Sequence, residues 1–230
     1  MQHMKLAIGT GGWGYYNASG DKLKVYAELF DFVEVNYTFY SNPPIPMISS
    51  WRNRVPKTFE FAVKCNRAIT HVCSLTPEQE CMDEVDYMIE VCKILRSNII
   101  VLQTPAYLSL NLQKIKKSMV IFDSFISSSI MPVLEHRGTI DRDSLELLKD
   151  KGIVYCSDLT KENPAYNADI VYTRLFGTGD PFKEKEYSAI EHRLRKTKAK
   201  KAYLVFHGVT MYSDALSFRS RIYQRMQRAL

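Results

Sequence analysis

Ionisable and amide side chains recur at the ends of short apolar, β-branched runs in this 230-residue chain. Glu34 and Asn36 close FVEVN, Lys64 closes FEFAVK, Gln103 stands late in IIVLQT, and Glu135 and Arg137 end MPVLEHR. Asp158, Arg174 and His207 stand late in three further runs. Two facing carboxylates can divide one proton between them, which makes Glu34 and Glu135 a candidate general acid and base. Lys64, Arg137 and Arg174 are suited to holding an anion and to stabilising charge that develops on it. His71 lies in a loop past Lys64 and is a candidate proton shuttle, because imidazole titrates near neutral pH. Asn36 and Gln103 add amide groups, and Trp13, Tyr37, Phe39 and Tyr40 add rings that can stack on a ligand or pack as a rim.

Each of these residues also has a purely structural reading. Lys64 with Glu34, and Arg137 with Glu135, can be ion pairs that line the interior, and His71 can anchor its loop by a hydrogen bond. Glu34, Lys64 and Glu135 resist the plainer reading that strand ends are simply wet. They follow apolar runs, and a charge buried there without a partner costs several kcal/mol, of order ~3–5. A metal held by Glu34, Glu135, Asp158 and His71 or His207 is an alternative, but Lys64 and the two arginines would compete with it for the carboxylates. No metal ligand is therefore assigned, and the cofactor stays open. Gly9-Thr-Gly-Gly-Trp-Gly14 matches the dinucleotide pattern G-x-G-x-x-G with Glu34 twenty residues past Gly14. Trp13 crowds that turn, and Tyr15–Gly20 separates it from the next helix, whereas a pyrophosphate needs the helix to begin at the third glycine.

The elements that position these residues alternate. Eight β-like runs cover Leu6–Thr10, Phe32–Asn36, Glu60–Cys65, Ile99–Thr104, Ile130–His136, Gly152–Asp158, Asp169–Phe176 and Ala202–Gly208. Helical patterns cover Asp21–Phe30, Pro43–Arg52, Pro77–Arg96, Leu112–Ser127, Asp141–Asp150, Pro181–Lys196 and Tyr212–Leu230, and Leu159–Ala168 reads as a loop. Thr76 and Asp180 are the expected N-caps of the helices that open at Pro77 and Pro181. Such alternation predicts parallel strands with crossover helices. Eight repeats predict an α/β fold, one parallel eight-stranded (β/α)8 barrel of the TIM type over residues 1–230. Barrel sites lie at the C-terminal ends of the strands, where the polar residues fall. Oxyanions commonly sit after strands seven and eight, which singles out Gly177, Gly179 and Gly208 in Phe176-Gly-Thr-Gly-Asp-Pro181 and His207-Gly-Val-Thr210.

Composition narrows the class. Hydrophobic residues make up 46% and charged residues 24%, which excludes a disordered chain. No apolar run approaches the roughly 18 residues of a membrane helix, so no membrane partner is expected. MQHMKLAIGT carries no signal-peptide pattern, which predicts a cytoplasmic protein. The five cysteines form no C-x-x-C pair and are expected to be reduced thiols, with Cys81 and Cys92 on one buried helix face. The net charge of +6 resides in residues 193–201, RLRKTKAKK, since the remainder carries 25 basic and 25 acidic residues. That patch can touch phosphates, which keeps nucleic acid open as a partner, although no aromatic residues interleave with it.

GTGGWGY (9–15), FVEVNYTFY (32–40), Trp51 and FAVKCNRAITH (61–71) resemble the YecE-like family, known as domain of unknown function 72. LQTPAY (102–107), VLEHR (133–137) and YTRLFG (172–177) are similar to its later motifs. The resemblance covers about three-quarters of the chain and implies a TIM barrel whose reaction is not established. Three departures stand out: Tyr16–Asp21 is short, Phe176 replaces a usual histidine, and strand eight ends in His207-Gly208 where the family usually carries asparagines. The expectation that follows is an enzyme, a hydrolase or a lyase or isomerase, acting on a small anionic or phosphorylated molecule. Its catalytic groups would be Glu34, Lys64, His71 and Glu135. Trp13, Asn36, Tyr40, Gln103, Arg137, Arg174, Gly177 and Gly208 would bind the substrate. A nucleic-acid-binding, metal-dependent or non-catalytic barrel is the alternative.

Overall fold

The computed structural model describes residues 4–177 and 179–227. Thr178 of the expected anion loop, and the last three residues of the helix expected to reach Leu230, lie outside them. The strands are β1 (Lys5–Thr10), β2 (Phe32–Val35), β3 (Glu60–Lys64), β4 (Ile99–Thr104), β5 (Met131–His136), β6 (Val154–Tyr155), β7 (Ile170–Phe176) and β8 (Lys201–His207). The helices are α1 (Lys22–Leu29), α2 (Tyr37–Tyr40), α3 (Ile45–Asn53), α4 (Gln79–Leu95), α5 (Leu112–Ser127), α6 (Arg142–Asp150), α7 (Glu184–Arg195) and α8 (Met211–Gln227). A π-helical turn, Ala68–Val72, follows β3. The chain divides into two compact units, residues 1–33 with 157–230, and residues 34–156.

The first unit is built on a parallel three-stranded sheet in the order β1-β8-β7. β1 pairs with β8 from Lys5 opposite Lys201 to Thr10 opposite Phe206. β7 pairs with β8 from Ile170 opposite Lys201 to Phe176 opposite His207. Its core is aromatic: Tyr172 and Tyr203 lie 5.9 Å apart, and Phe206 is 5.4 Å from Phe182 and 5.9 Å from Phe218. Gly9 explains part of the glycine-rich start, because a Cβ there would stand 2.2 Å from the carbonyl oxygen of Phe32. Only glycine lets the two backbones come this close. The Tyr26 hydroxyl seals the junction, accepting from the Thr10 amide at 3.0 Å and donating to the Phe32 carbonyl at 3.0 Å. α1 starts at an Asp21 cap whose carboxylate accepts from the amides of Leu23 and Lys24, well past Gly14.

The second unit is built on a parallel five-stranded sheet in the order β2-β3-β4-β5-β6. Ladder pairs set Gln103 opposite Glu135 and Thr104 opposite His136. In α4, Cys81, Val85, Met88, Cys92 and Leu95 are buried. This three-four spacing makes one apolar helix stripe and places both cysteines on it. All five cysteines are free thiols. Asn111 and Asp141 cap α5 and α6 through the amides of Lys114 and Ser144.

The observed boundaries correct three expectations. β6 keeps only two residues because Gly152, at φ +70°, ends the preceding helix, and the Asp158 carboxylate turns back onto the Thr160 amide. α4 begins at Gln79 because Ser74 and Leu75 are left-handed, and the Thr76 hydroxyl accepts from the Lys114 ammonium instead of capping. α7 begins at Glu184, with the Glu186 carboxylate taking the Lys183 amide, while Asp214 takes the amide of Phe182. Asp180 therefore caps no helix.

Candidate active site

Glu34, Lys64, Gln103 and Glu135 stand at or next to the C-terminal residues of four successive strands of the second unit. Glu34 is fully buried, Lys64 and Gln103 are 5% exposed, and the Glu135 side chain is 12% exposed. Strand parity puts them where apolar side chains would otherwise sit, as the alternation in sequence requires. Arg137 follows Glu135 and lies 3.8 Å from its carboxylate, with half of its own side chain in solvent. Asn36 is half-buried at the start of α2, and its side-chain oxygen is buried without a hydrogen-bond partner among the described residues. Such atoms are rare in native proteins and mark places where a ligand or a solvent molecule completes the bonding.

Lys64 and His71 meet through Phe39. The Lys64 ammonium sits 3.8 Å above the Phe39 ring centre, and the edge contact between Phe39 and His71 spans 5.2 Å. Tyr40 packs edge-on to Phe39 at 4.9 Å while remaining 71% exposed. The His71 imidazole is held by Thr70, whose hydroxyl lies 2.9 Å from its Nδ1. Burial pushes the His71 pKa below the usual imidazole value, and the positive charges of Arg67, Lys64 and Arg137 push it further the same way. Both effects favour the neutral imidazole, and three cations contribute to the field around it.

Residues that the sequence did not single out fix this arrangement. The Asn66 carboxamide accepts from the Ala68 amide at 2.8 Å, at the first residue of the π-helical turn that carries His71. Its other end donates to Asn42 at 2.8 Å, and Asn42 donates to both Glu84 carboxylate oxygens, at 2.9 and 3.0 Å. Thr38 donates to the Lys64 carbonyl at 2.6 Å. Gly138 allows the loop after β5 to fold tightly, because a Cβ there would stand 2.6 Å from the His136 ring and 2.8 Å from the Ala106 carbonyl. His136 itself is tied to the Thr104 hydroxyl at 2.9 Å, and burial lowers its pKa.

The remaining candidates lie in the first unit. Arg174 is 2% exposed and donates to His207 at 3.1 Å, so the accepting imidazole nitrogen carries no proton. Phe176 stacks on His207 with 4.7 Å between ring centres, and the Arg174 guanidinium lies 5.2 Å from the Phe176 ring. Phe176 and His207 thus form one cluster at the two positions that depart from the family pattern. Gly177 packs against Phe182, where a Cβ would be 2.8 Å from the ring. Gly208 is required by its φ of +100° and faces open space. Trp13 is half-buried in the turn after β1. The Asp158 carboxylate is occupied by Thr160 and by Lys161 at 3.1 Å. Among the described residues, no three His, Cys, Asp or Glu side chains gather as metal ligands.

The family model for a protein of unknown function, DUF72, matches residues 7–229. The chain belongs to the DUF72 family. A curated relative, the UPF0759 protein YunF of Bacillus subtilis, is 34% identical over 72 residues, 28% of this chain and 26% of that protein. A DUF72 protein of Enterococcus faecalis superposes with a TM-score of 0.76 at 16% identity, covering 97% of this chain and 99% of that one. One from Thermotoga maritima gives 0.75 at 17%, covering 95% and 99%. A xylose isomerase domain protein of Planctomyces limnophilus gives 0.62 at 11%, covering 98% and 99%. At such identities the likeness speaks for fold alone, and the fold is an α/β TIM barrel. No described helix is long and apolar enough to cross a membrane.

Proposed function

We propose that the second unit of this DUF72 protein carries an active site for a small anionic, phosphorylated substrate, worked by acid–base chemistry. The observation that carries the reading is the contact of Lys64 and His71 with the one Phe39 ring at the strand ends. An imidazole whose pKa is lowered by burial and by nearby positive charge is a base placed where an anion is attracted. The half-exposed Arg137 reaches an incoming oxyanion first, and the buried Lys64 stabilises the charge that develops during reaction. Glu135, ordered by Arg137 and level with Gln103, gives or takes the second proton together with Glu34. The partnerless oxygen of Asn36 accepts a hydrogen bond from a substrate hydroxyl. Hydrolysis and isomerisation both use this set of groups.

The test is turnover of a panel of phosphorylated metabolites followed by phosphorus and proton NMR. The expected result is one compound class converted by the wild-type chain, with the rate reduced about 100-fold or more in His71→Gln and in Glu135→Gln. Binding without turnover across the panel would leave a non-catalytic binding protein. Turnover indifferent to both substitutions would remove the second unit as the site.

A further inference from the structure

The loops after β2, β3 and β4 present large apolar groups to solvent: Tyr40 at 71% exposure, Val72 at 72% and Tyr107 at 77%. Such groups are ordinary when scattered, but these three stand on the segments after successive strands that also carry the charged site. Tyr40 touches Phe39, which touches His71, and Val72 is the residue after His71. Tyr107 follows Ala106, whose carbonyl packs on Gly138, the residue after Arg137. A ligand whose anion lies against Lys64 or Arg137 would have the exposed Tyr40 one ring away from Lys64 and His71, and the segment that carries Tyr107 next to the one that follows Arg137.

We propose, building on the anion site argued above, that the substrate is a phosphate ester bearing a flat ring, of the nucleoside monophosphate class. A bare sugar phosphate fits the loops poorly. The Asn36 oxygen would take one of its hydroxyls, but Tyr40 and Tyr107, 71% and 77% exposed, would be left facing solvent. A planar heterocycle gains from ring stacking whatever its hydrogen-bonding edge. The guanidinium of Arg137, half in solvent, takes the phosphate in the same pose.

The experiment is calorimetric titration of the full chain with inorganic phosphate, ribose 5-phosphate and adenosine 5′-monophosphate. Wild type, Tyr40→Ala, Tyr107→Ala, the double variant and Arg137→Ala are compared, with circular dichroism melts confirming that each is folded. The nucleotide is expected to bind about tenfold tighter than ribose 5-phosphate. Each tyrosine substitution should lower that ratio, and the double variant should bring it close to one. Equal affinity of the two esters on wild type, with phosphate displacing both, overturns the flat-ring proposal and leaves the anion site standing. A nucleotide preference that survives both tyrosine substitutions also overturns it. Failure of all three probes to bind at millimolar concentration, or binding indifferent to Arg137→Ala, overturns the anion site and the ring proposal with it.

Discussion

The two units use the same strand–helix unit and spend their polar groups differently. In the first, strand ends are bound to one another: the Tyr26 hydroxyl joins Thr10 to Phe32, and Arg174 donates to a His207 capped by the Phe176 ring. Around them the core is aromatic, and among the described residues left-handed backbone is confined to glycine. In the second, Glu34, Lys64 and Gln103 are buried at strand ends with a half-buried Glu135 opposite Gln103, and the segment after Lys64 leaves regular geometry altogether. Its π-helical turn is succeeded by Ser74 at φ 52° and Leu75 at φ 57°. Non-glycine residues held in that region cost of order 1–3 kcal/mol each and persist where the surroundings impose them, often at functional sites. The difference teaches that a repeated architecture can keep one portion for cohesion and let another carry strain and charge.

The largest effect that would sharpen this contrast is at Gly9. Gly9→Val drives a side chain into the Phe32 carbonyl, and we expect a loss of more than about 3 kcal/mol, read as a collapse of the denaturation midpoint. A folded, near-wild-type variant would break the picture of the first unit as the tightly joined one. Tyr26→Phe follows, removing one hydroxyl and orphaning a buried amide and carbonyl. The expected cost is about 1–3 kcal/mol by urea denaturation.

In the second unit the effects on stability should be smaller and those on chemistry larger. Asn66→Ala leaves the Ala68 amide without its acceptor, at about 1 kcal/mol. It should also shift the His71 titration seen by NMR, which a merely structural asparagine would leave alone. His71 and His136 both have pKa values below the ordinary imidazole value, so the folded chain resists protons that the unfolded chain accepts. Stability is therefore expected to hold above about pH 6.5 and to fall as the pH drops through the window below it. His71→Gln should flatten part of that fall, and an unchanged pH profile would refute the assignment. The smallest stability effect is Arg137→Ala, within about 0.5 kcal/mol because its side chain is half in solvent. The same variant should raise the His71 pKa by removing one of its three cations, and a downward movement would contradict the charge arrangement.

Much of the fold was legible because its signals are local. All eight expected strands form, and Leu112–Ser127 coincides with α5 at both ends, since alternation and apolar periodicity are fixed by neighbours in sequence. Burial of Glu34 and Lys64 was expected for the same reason, because they follow apolar strand runs, whereas Gln103 read equally well as a wet strand end and is buried. What escaped depends on partners far along the chain. Asn66 reads as an ordinary loop residue until Asn42 and Glu84 are beside it. Gly9 invites a phosphate-binding reading until Phe32 stands against it. Arg52 shows that buried charge alone does not mark a site, because its guanidinium donates to the Phe59 carbonyl at 2.9 Å and lies 5.0 Å from the Phe61 ring. The helix starts at Gln79 and Glu184 were misplaced because Thr76 and Asp214 serve distant groups.

The π-helical turn has a consequence for how this region tolerates changes in length. In Ala68–Val72 the Cys73 amide reaches back five residues to the Ala68 carbonyl, at 2.8 Å, one residue more than an α-helical bond spans. Removing a single residue between them would let the segment relax into an ordinary α-turn. An α-helix advances about 100° per residue, so each side chain beyond the excision would swing by about that angle. Excision of Ile69 or Thr70 would turn His71 away from Phe39 while the strands beneath it kept their places. Insertions and deletions elsewhere in surface loops are absorbed, whereas here one residue sets the direction in which an imidazole points.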